Sequence, residues 1–135
     1  MNVSGKNILV IDDEKGIQEL FRFLLETEGY HVTVANDGRD GVEIVKKEDF
    51  SLIFLDVHMP RMKGPEALRI IKQMKPDIPI VIFSSSSDAN HAFERRAKEL
   101  GAFECIYKPS TIEEILEVIE RVLGKSKEVK QKGNF

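Results

Sequence analysis

Apolar residues fall along this chain in two alternating rhythms, short unbroken runs and longer segments in which they recur every three to four positions. The unbroken runs are Ile8-Leu9-Val10-Ile11, Leu52-Ile53-Phe54-Leu55 and Ile80-Val81-Ile82-Phe83. Four apolar residues in succession predict a strand covered on both faces, as in a parallel sheet. His31-Val32-Thr33-Val34-Ala35, with its β-branched residues, predicts a shorter second strand, and Cys105-Ile106-Tyr107-Lys108 a last one. The first strand is taken as residues 7–11.

Between the strands the period is helical. Ile17, Leu20, Phe21, Leu24 and Leu25 stand at i, i+3, i+4, i+7 and i+8, an amphipathic stripe stopped near Gly29. After the turn Asn36-Asp37-Gly38, a weaker helix runs through Val42 and Val45. Ala67, Ile70, Ile71 and Met74 mark a third helix, which Pro76 ends. A fourth has the small-residue face Ala89, Ala92, Phe93, Ala97 and Leu100, and Gly101 closes it. Thr111 and Glu114 have the spacing of a capping box ahead of a final helix, with Ile112, Ile115, Leu116, Ile119 and Val122 along one side. Strands alternate with helices five times over short links. That predicts an α/β domain: a five-stranded parallel sheet with right-handed crossovers and helices on both faces. Residues 1–123 form this unit, and 124–135 break the pattern. There Lys125, Lys127, Lys130 and Lys132 face one Glu128, the composition of a solvated tail or the start of a linker.

Composition narrows the function classes. The chain has 135 residues, 41% hydrophobic and 32% charged, ordinary values for one globular domain. A net charge of -3 gives no overall electrostatic case for nucleic-acid or membrane binding. No apolar run approaches the roughly 18 residues of a spanning helix, and Met1-Asn2-Val3-Ser4-Gly5-Lys6 lacks the apolar stretch of a secretory signal. A lone Cys105 excludes an internal disulfide and a cysteine-cluster metal site, so a reducing cytoplasm is the expected location.

The chemistry lies at the strand ends. The first run leads into Asp12-Asp13-Glu14, the central one into Asp56, the fourth strand into Ser84 and the last ends in Lys108. Open α/β sheets bind ligands beyond the carboxyl ends of their strands. Three carboxylates gathered there repel one another unless a cation joins them. Mg2+ prefers oxygen ligands, commonly one or two carboxylates with waters and a phosphate oxygen. Ser84 and Lys108 could meet a phosphoryl group, whose transfer asks mainly for positioning and charge neutralisation. With no cysteine or serine–histidine pair suitably placed, the nucleophile would be a carboxylate, and Asp56 on the most apolar strand is the best choice. Taken singly, each residue has a plainer role: Asp13 a helix cap, Ser84 a loop hydroxyl, Lys108 a solvated cation, Asp56 a turn former. The case rests on all four falling at strand tips of one sheet.

Those motifs together resemble the receiver domains of two-component response regulators, over residues 7 to about 123. The acidic pair Asp12-Asp13, Asp56, Ser84 and Lys108-Pro109 follow strands one, three, four and five in order, and Asp56-Val57-His58-Met59-Pro60-Arg61-Met62-Lys63-Gly64 is similar to the family's phosphoacceptor loop. The resemblance implies a flavodoxin-like, doubly wound sheet of order 2-1-3-4-5. It implies that Asp56 accepts a phosphoryl group from a sensor histidine kinase or phosphotransfer protein. Asp13, Asp56 and the backbone carbonyl of His58 would hold Mg2+, with Asp12 helping through water, and Ser84 and Lys108 would contact the phosphoryl oxygens. The Lys108-Pro109 bond is expected to be cis. The output would leave by the face of the fourth helix, last strand and final helix, toward a downstream partner, and the resemblance allows for a dimer formed on phosphorylation. His58 and Ser86, flanking the site, would tune dephosphorylation. One position departs: where relatives place a switching aromatic, this chain has Cys105.

The domain would thus act as a phosphorylation switch that catalyses only its own phosphorylation and dephosphorylation. The rival is a Mg2+-dependent phosphatase turning over through an aspartyl-phosphate, but no insertion is long enough for the substrate cap such enzymes use. A nucleotide-binding module would need a Gly-rich loop such as G-x-G-x-x-G, and none is present.

Overall fold

In a computed structural model, residues 6–56, 64–84, 97–107 and 111–124 are described, the side chains of Gly64, Ser84 and Tyr107 excepted. Five strands emerge where the apolar runs lie: β1 (Asn7–Ile11), β2 (His31–Ala35), β3 (Leu52–Asp56), β4 (Ile80–Ser84) and β5 (Glu104–Tyr107). They form one sheet of order β2-β1-β3-β4-β5, every neighbouring pair parallel. This is the doubly wound order that the family resemblance implies. β3 lies in the middle and all five of its residues are buried, as an unbroken apolar run requires when helices cover both faces. The last strand starts one residue earlier than its apolar pattern suggests, because Glu104 pairs with Val81. Lys108 is outside the described residues.

Side-chain alternation divides the core in two. On one face Leu9, Ile11, Ile53, Leu55, Ile80 and Ile82 pack against α2 (Gly38–Lys47) and α3 (Gly64–Met74), through Val42, Val45, Ala67, Leu68 and Ile71. On the other, Ile8, Val10, Leu52, Phe54, Val81 and Phe83 meet α1 (Lys15–Thr27) and a final helix (Ile112–Leu123). Phe21 of α1 is central there, edge-on to Phe54 at 4.8 Å and to Phe83 at 5.2 Å between ring centroids. Such pairs add about 0.5–1.5 kcal/mol each beyond burial. α1 thereby ties β3 to β4.

Helix ends follow local chemistry. Asp37 caps α2 by accepting a hydrogen bond from the Asp40 N–H at 2.9 Å. The expected capping box is complete: Thr111 accepts from the Glu114 N–H and the Glu114 carboxylate accepts from the Thr111 N–H. Residues 97–99 are helical and Gly101 follows with φ 112°, the left-handed turn that suits glycine. Residues 85–96 of the expected fourth helix lie outside the described residues.

Two stripes differ from expectation. On α1 the buried residues are Gln18, Phe21, Leu24 and Leu25, whereas Leu20 is exposed. At about 100° per residue, Leu20 lies roughly 100° round from Phe21 but Gln18 only about 60°. The final helix buries Ile115, Val118 and Ile119 and leaves Ile112, its first residue, exposed. No described helix is long and apolar enough to cross a membrane.

Gly41 marks the tightest approach of α2 to the sheet. A Cβ there would stand 2.9 Å from Cγ1 of fully buried Ile11, and closer still to its Cδ1. Gly41→Ala is therefore expected to cost about 1–3 kcal/mol by overpacking, read as a lower urea midpoint at unchanged slope. Adding Ile11→Val, which removes the Cδ1 methyl, should recover part of the loss. Strictly additive losses would show that the clash is not with Ile11.

Candidate functional site

β1 and β3 are hydrogen-bonded in parallel with Ile11 opposite Leu55, so the residues that follow, Asp12 and Asp56, emerge side by side at the carboxyl edge. Asp56 ends β3 opposite Phe83 of β4 and is buried. Asp12 extends the β1 ladder by one step, its N–H donating to the Ala35 carbonyl of β2 at 3.0 Å. It is also buried, and its Oδ1 accepts a hydrogen bond from the Glu14 N–H at 2.9 Å. That contact closes the turn into α1, whose cap position is Glu14. Asp13 is therefore not the helix cap. It sits exposed between two anchored residues, free of the turn-closing task that Asp12 performs.

Asp12, Asp13 and Asp56 each offer a carboxylate oxygen within 4.8 Å of the others. Two unit charges at about that separation repel by roughly 3–4 kcal/mol at an effective dielectric near 20, and by less where Asp13 meets solvent. The donor set is hard oxygen throughout, which selects Mg2+ or Ca2+ over softer metals. Around an octahedral Mg2+ at about 2.1 Å, opposite ligands stand about 4.2 Å apart and adjacent ones about 3.0 Å. The cluster fits such an ion if the carboxylates draw closer or if a water stands in for one of them. Three single carboxylate oxygens would fill only about half of the positions around an octahedral ion.

Ser84 ends β4 opposite Tyr107, at the same carboxyl edge, while its side chain lies outside the described residues. His58, Ser86, Lys108 and Pro109 also lie outside them. Cys105 is half-buried in the middle of β5 opposite Ile82, and packs against the α2–α3 side of the core. Ile106 faces the α1 side, as alternation requires. A separate groove of about 330 Å³ opens between β5 and the final helix, lined by Glu104, Ile106, Glu117 and Arg121 among others, and it shares no residue with the acid cluster.

Gln18 is what the sequence reading missed. Its Nε2 donates to the Asp12 carbonyl at 2.6 Å and to Asn36 Oδ1 at 2.9 Å, beneath the acid cluster. The available signal was a polar residue at the edge of the α1 stripe, about 20° round from Leu25, four positions after the cap.

Comparison with known proteins places these features in context. A family model described as the response regulator receiver domain matches residues 8–120. The transcriptional regulatory protein ZraR of Escherichia coli K12 is 34% identical over 118 residues, 87% of this chain. The chain spans 26% of that regulator's length. Among solved structures, chemotaxis protein CheY4 of Vibrio cholerae superposes with a TM-score of 0.79 at 28% identity, covering 87% of this chain and 98% of that one. Response regulator TrrA of Thermotoga maritima, solved in complex with Mg2+ and BeF, does so with a TM-score of 0.77 at 28% identity and the same coverage, 87% and 98%.

The electrostatics yield an expected outcome. Asp13→Asn removes one charge from an exposed position, so without divalent metal its thermal midpoint should equal or exceed wild type. Mg2+ should raise the wild-type midpoint, by about 2.7 kcal/mol of stability at a hundredfold excess over Kd, and the variant's far less. An equal Mg2+ response in the two proteins, followed by calorimetry, would exclude Asp13 as a ligand.

Proposed function

Since the chain belongs to the response regulator receiver domain family, we propose that it is a phosphorylation-controlled switch in two-component signalling, with Asp56 as phosphoacceptor. The observation that carries this reading is the buried Asp56 at the tip of the central strand, with the Asp12 and Asp13 carboxylates within 4.8 Å of it. The donor would be a phosphohistidine on a sensor histidine kinase or a phosphotransfer protein. An Asp56 carboxylate oxygen attacks phosphorus, the P–N bond breaks, and the imidazole nitrogen leaves with the electron pair. The product is an aspartyl-phosphate.

Bound Mg2+ supplies positive charge that offsets both the carboxylate cluster and the phosphoryl oxygens. Asp13, Asp56 and the His58 backbone carbonyl would hold it, with Asp12 reaching it through water. Ser84 and Lys108 would take the remaining phosphoryl oxygens by hydrogen bond and ion pair. Those charge-assisted contacts exist only in the phosphorylated state, so they can bias a two-state equilibrium. The chain catalyses its own phosphorylation and dephosphorylation and does not turn over a substrate. The rival reading, an aspartyl-phosphate phosphatase, draws no support from the family match.

Output passes to a partner by the face that includes β5 and the final helix, a dimer formed on phosphorylation being one form of it. ZraR is a transcriptional regulator, but this chain corresponds to a minor part of it. A net charge of -3 gives the receiver itself no overall electrostatic case for binding nucleic acid or membrane. A cytoplasmic location agrees with such a kinase partner and with the lone Cys105.

Incubation with Mg2+ and a small acyl-phosphate, read by intact mass, tests the proposal. A single phosphoryl adduct is expected, absent from Asp56→Asn and absent when Mg2+ is chelated. Turnover of many phosphate esters without any adduct would instead identify a phosphatase. The decay of the adduct provides a separate check. His58→Ala and Ser86→Ala should each change its lifetime, and unchanged decay in both would remove these residues from the mechanism.

A further inference from the structure

We infer that Gln18 is a positioning residue for the carboxylate cluster, its side-chain amide clamping the Asp12 backbone carbonyl to Asn36 and so setting where Asp13 stands. This rests on the reading of that cluster as a Mg2+ site. Gln18 is 6% exposed and lies one helical turn beyond the cap, its own N–H donating to the Glu14 carbonyl at 3.0 Å. Helical side chains lean toward the amino end, which directs this amide back onto the turn between β1 and α1.

The chemistry of the partners fixes its orientation. A main-chain oxygen only accepts, so the Gln18 nitrogen faces Asp12, at 2.6 Å, and Asn36 must then present Oδ1 to it, at 2.9 Å. Both amide protons are thereby used. Asp12 is held at three atoms: its N–H by Ala35, its Oδ1 by Glu14 and its carbonyl by Gln18. Asn36 follows the last residue of β2, so one side chain links the tips of β1 and β2 behind the acids. Asp13 is attached directly to the carbonyl that Gln18 holds. A side chain serving only to fill space here would be apolar, like its neighbours Phe21 and Leu25.

Partners behind metal ligands commonly change metal affinity about 10–100-fold when removed. Gln18→Met keeps the length and removes both donors, and Asn36→Ala removes one acceptor from an exposed residue. Calorimetric titration of the full chain with Mg2+ should give a Kd at least about tenfold higher for Gln18→Met, with a smaller rise for Asn36→Ala. The rate of Asp56 phosphorylation by an acyl-phosphate should fall at limiting Mg2+ and return to the wild-type rate at saturating Mg2+. That split separates positioning from general loss of structure. A Gln18→Met protein that folds and binds Mg2+ like wild type overturns the inference, as does a lower maximal rate with unchanged Mg2+ affinity. Should Gln18→Met fail to fold, an unaltered Mg2+ affinity in Asn36→Ala overturns it too. A wild type that binds no Mg2+ removes the site reading itself, a result distinguishable from these.

Discussion

Repulsion among three carboxylates at one sheet edge is the constraint on which the rest of the structure depends. Asp12 and Asp56 are buried and adjacent because β1 and β3 are parallel neighbours in a register that aligns Ile11 with Leu55. Nothing local would keep such groups together. The ladder does so, and the ladder is held by apolar packing on both faces, including the Phe21–Phe54–Phe83 cluster. Burial of each large apolar side chain contributes about 1.5–3 kcal/mol, so a few of them outweigh the repulsion. The acids are thus kept apart from their preferred state by the fold. A cation at this edge would relieve that repulsion.

The backbone of this arrangement was legible in the sequence for a definite reason. A strand buried on both faces leaves an unbroken apolar run, so β1, β3 and β4, with the acids that follow β1 and end β3, could be read directly. The Thr111–Glu114 capping box was equally plain, because it depends on a spacing of three and on nothing distant. Gln18 was not legible. Its importance lies in a long-range meeting with Asn36, and its burial contradicts the hydrophobic rule used to find α1. Leu20 and Ile112 failed in the opposite sense, apolar residues that the geometry leaves exposed. Periodicity locates a helix well but sets its rotation only to within one flanking residue.

The same geometry sharpens the question raised by Cys105. It sits on β5 opposite Ile82, within the core shared by α2 and α3, while Ile106 beside it belongs to the α1 side. A cysteine at this point behaves as a small hydrophobe. It has no ring to turn between an inward and an outward position, so any switching must use another element. β5 is hydrogen-bonded to β4 with Tyr107 opposite Ser84, and a change at the Ser84 backbone can therefore reach β5 through the ladder without a side-chain rotamer. Such a route works by displacement of paired strands. It has two discrete states only if the helices packed on those strands also repack.

This places a requirement on the edge of the sheet. β3 and β1 each have two hydrogen-bonded neighbours, and Asp12 is further held by Ala35, Glu14 and Gln18, so the acids on these strands have little freedom to respond. β5 has one neighbouring strand and is tied to the final helix by the Arg121–Glu104 ion pair and by Ile106 against the helix's buried face. If phosphorylation of Asp56 moves anything, the compliant direction runs through β4 toward β5 and away from β1. The clamp on the acid side and the single-sided pairing of β5 are then complementary: one keeps the chemistry in place while the other gives its consequence somewhere to go.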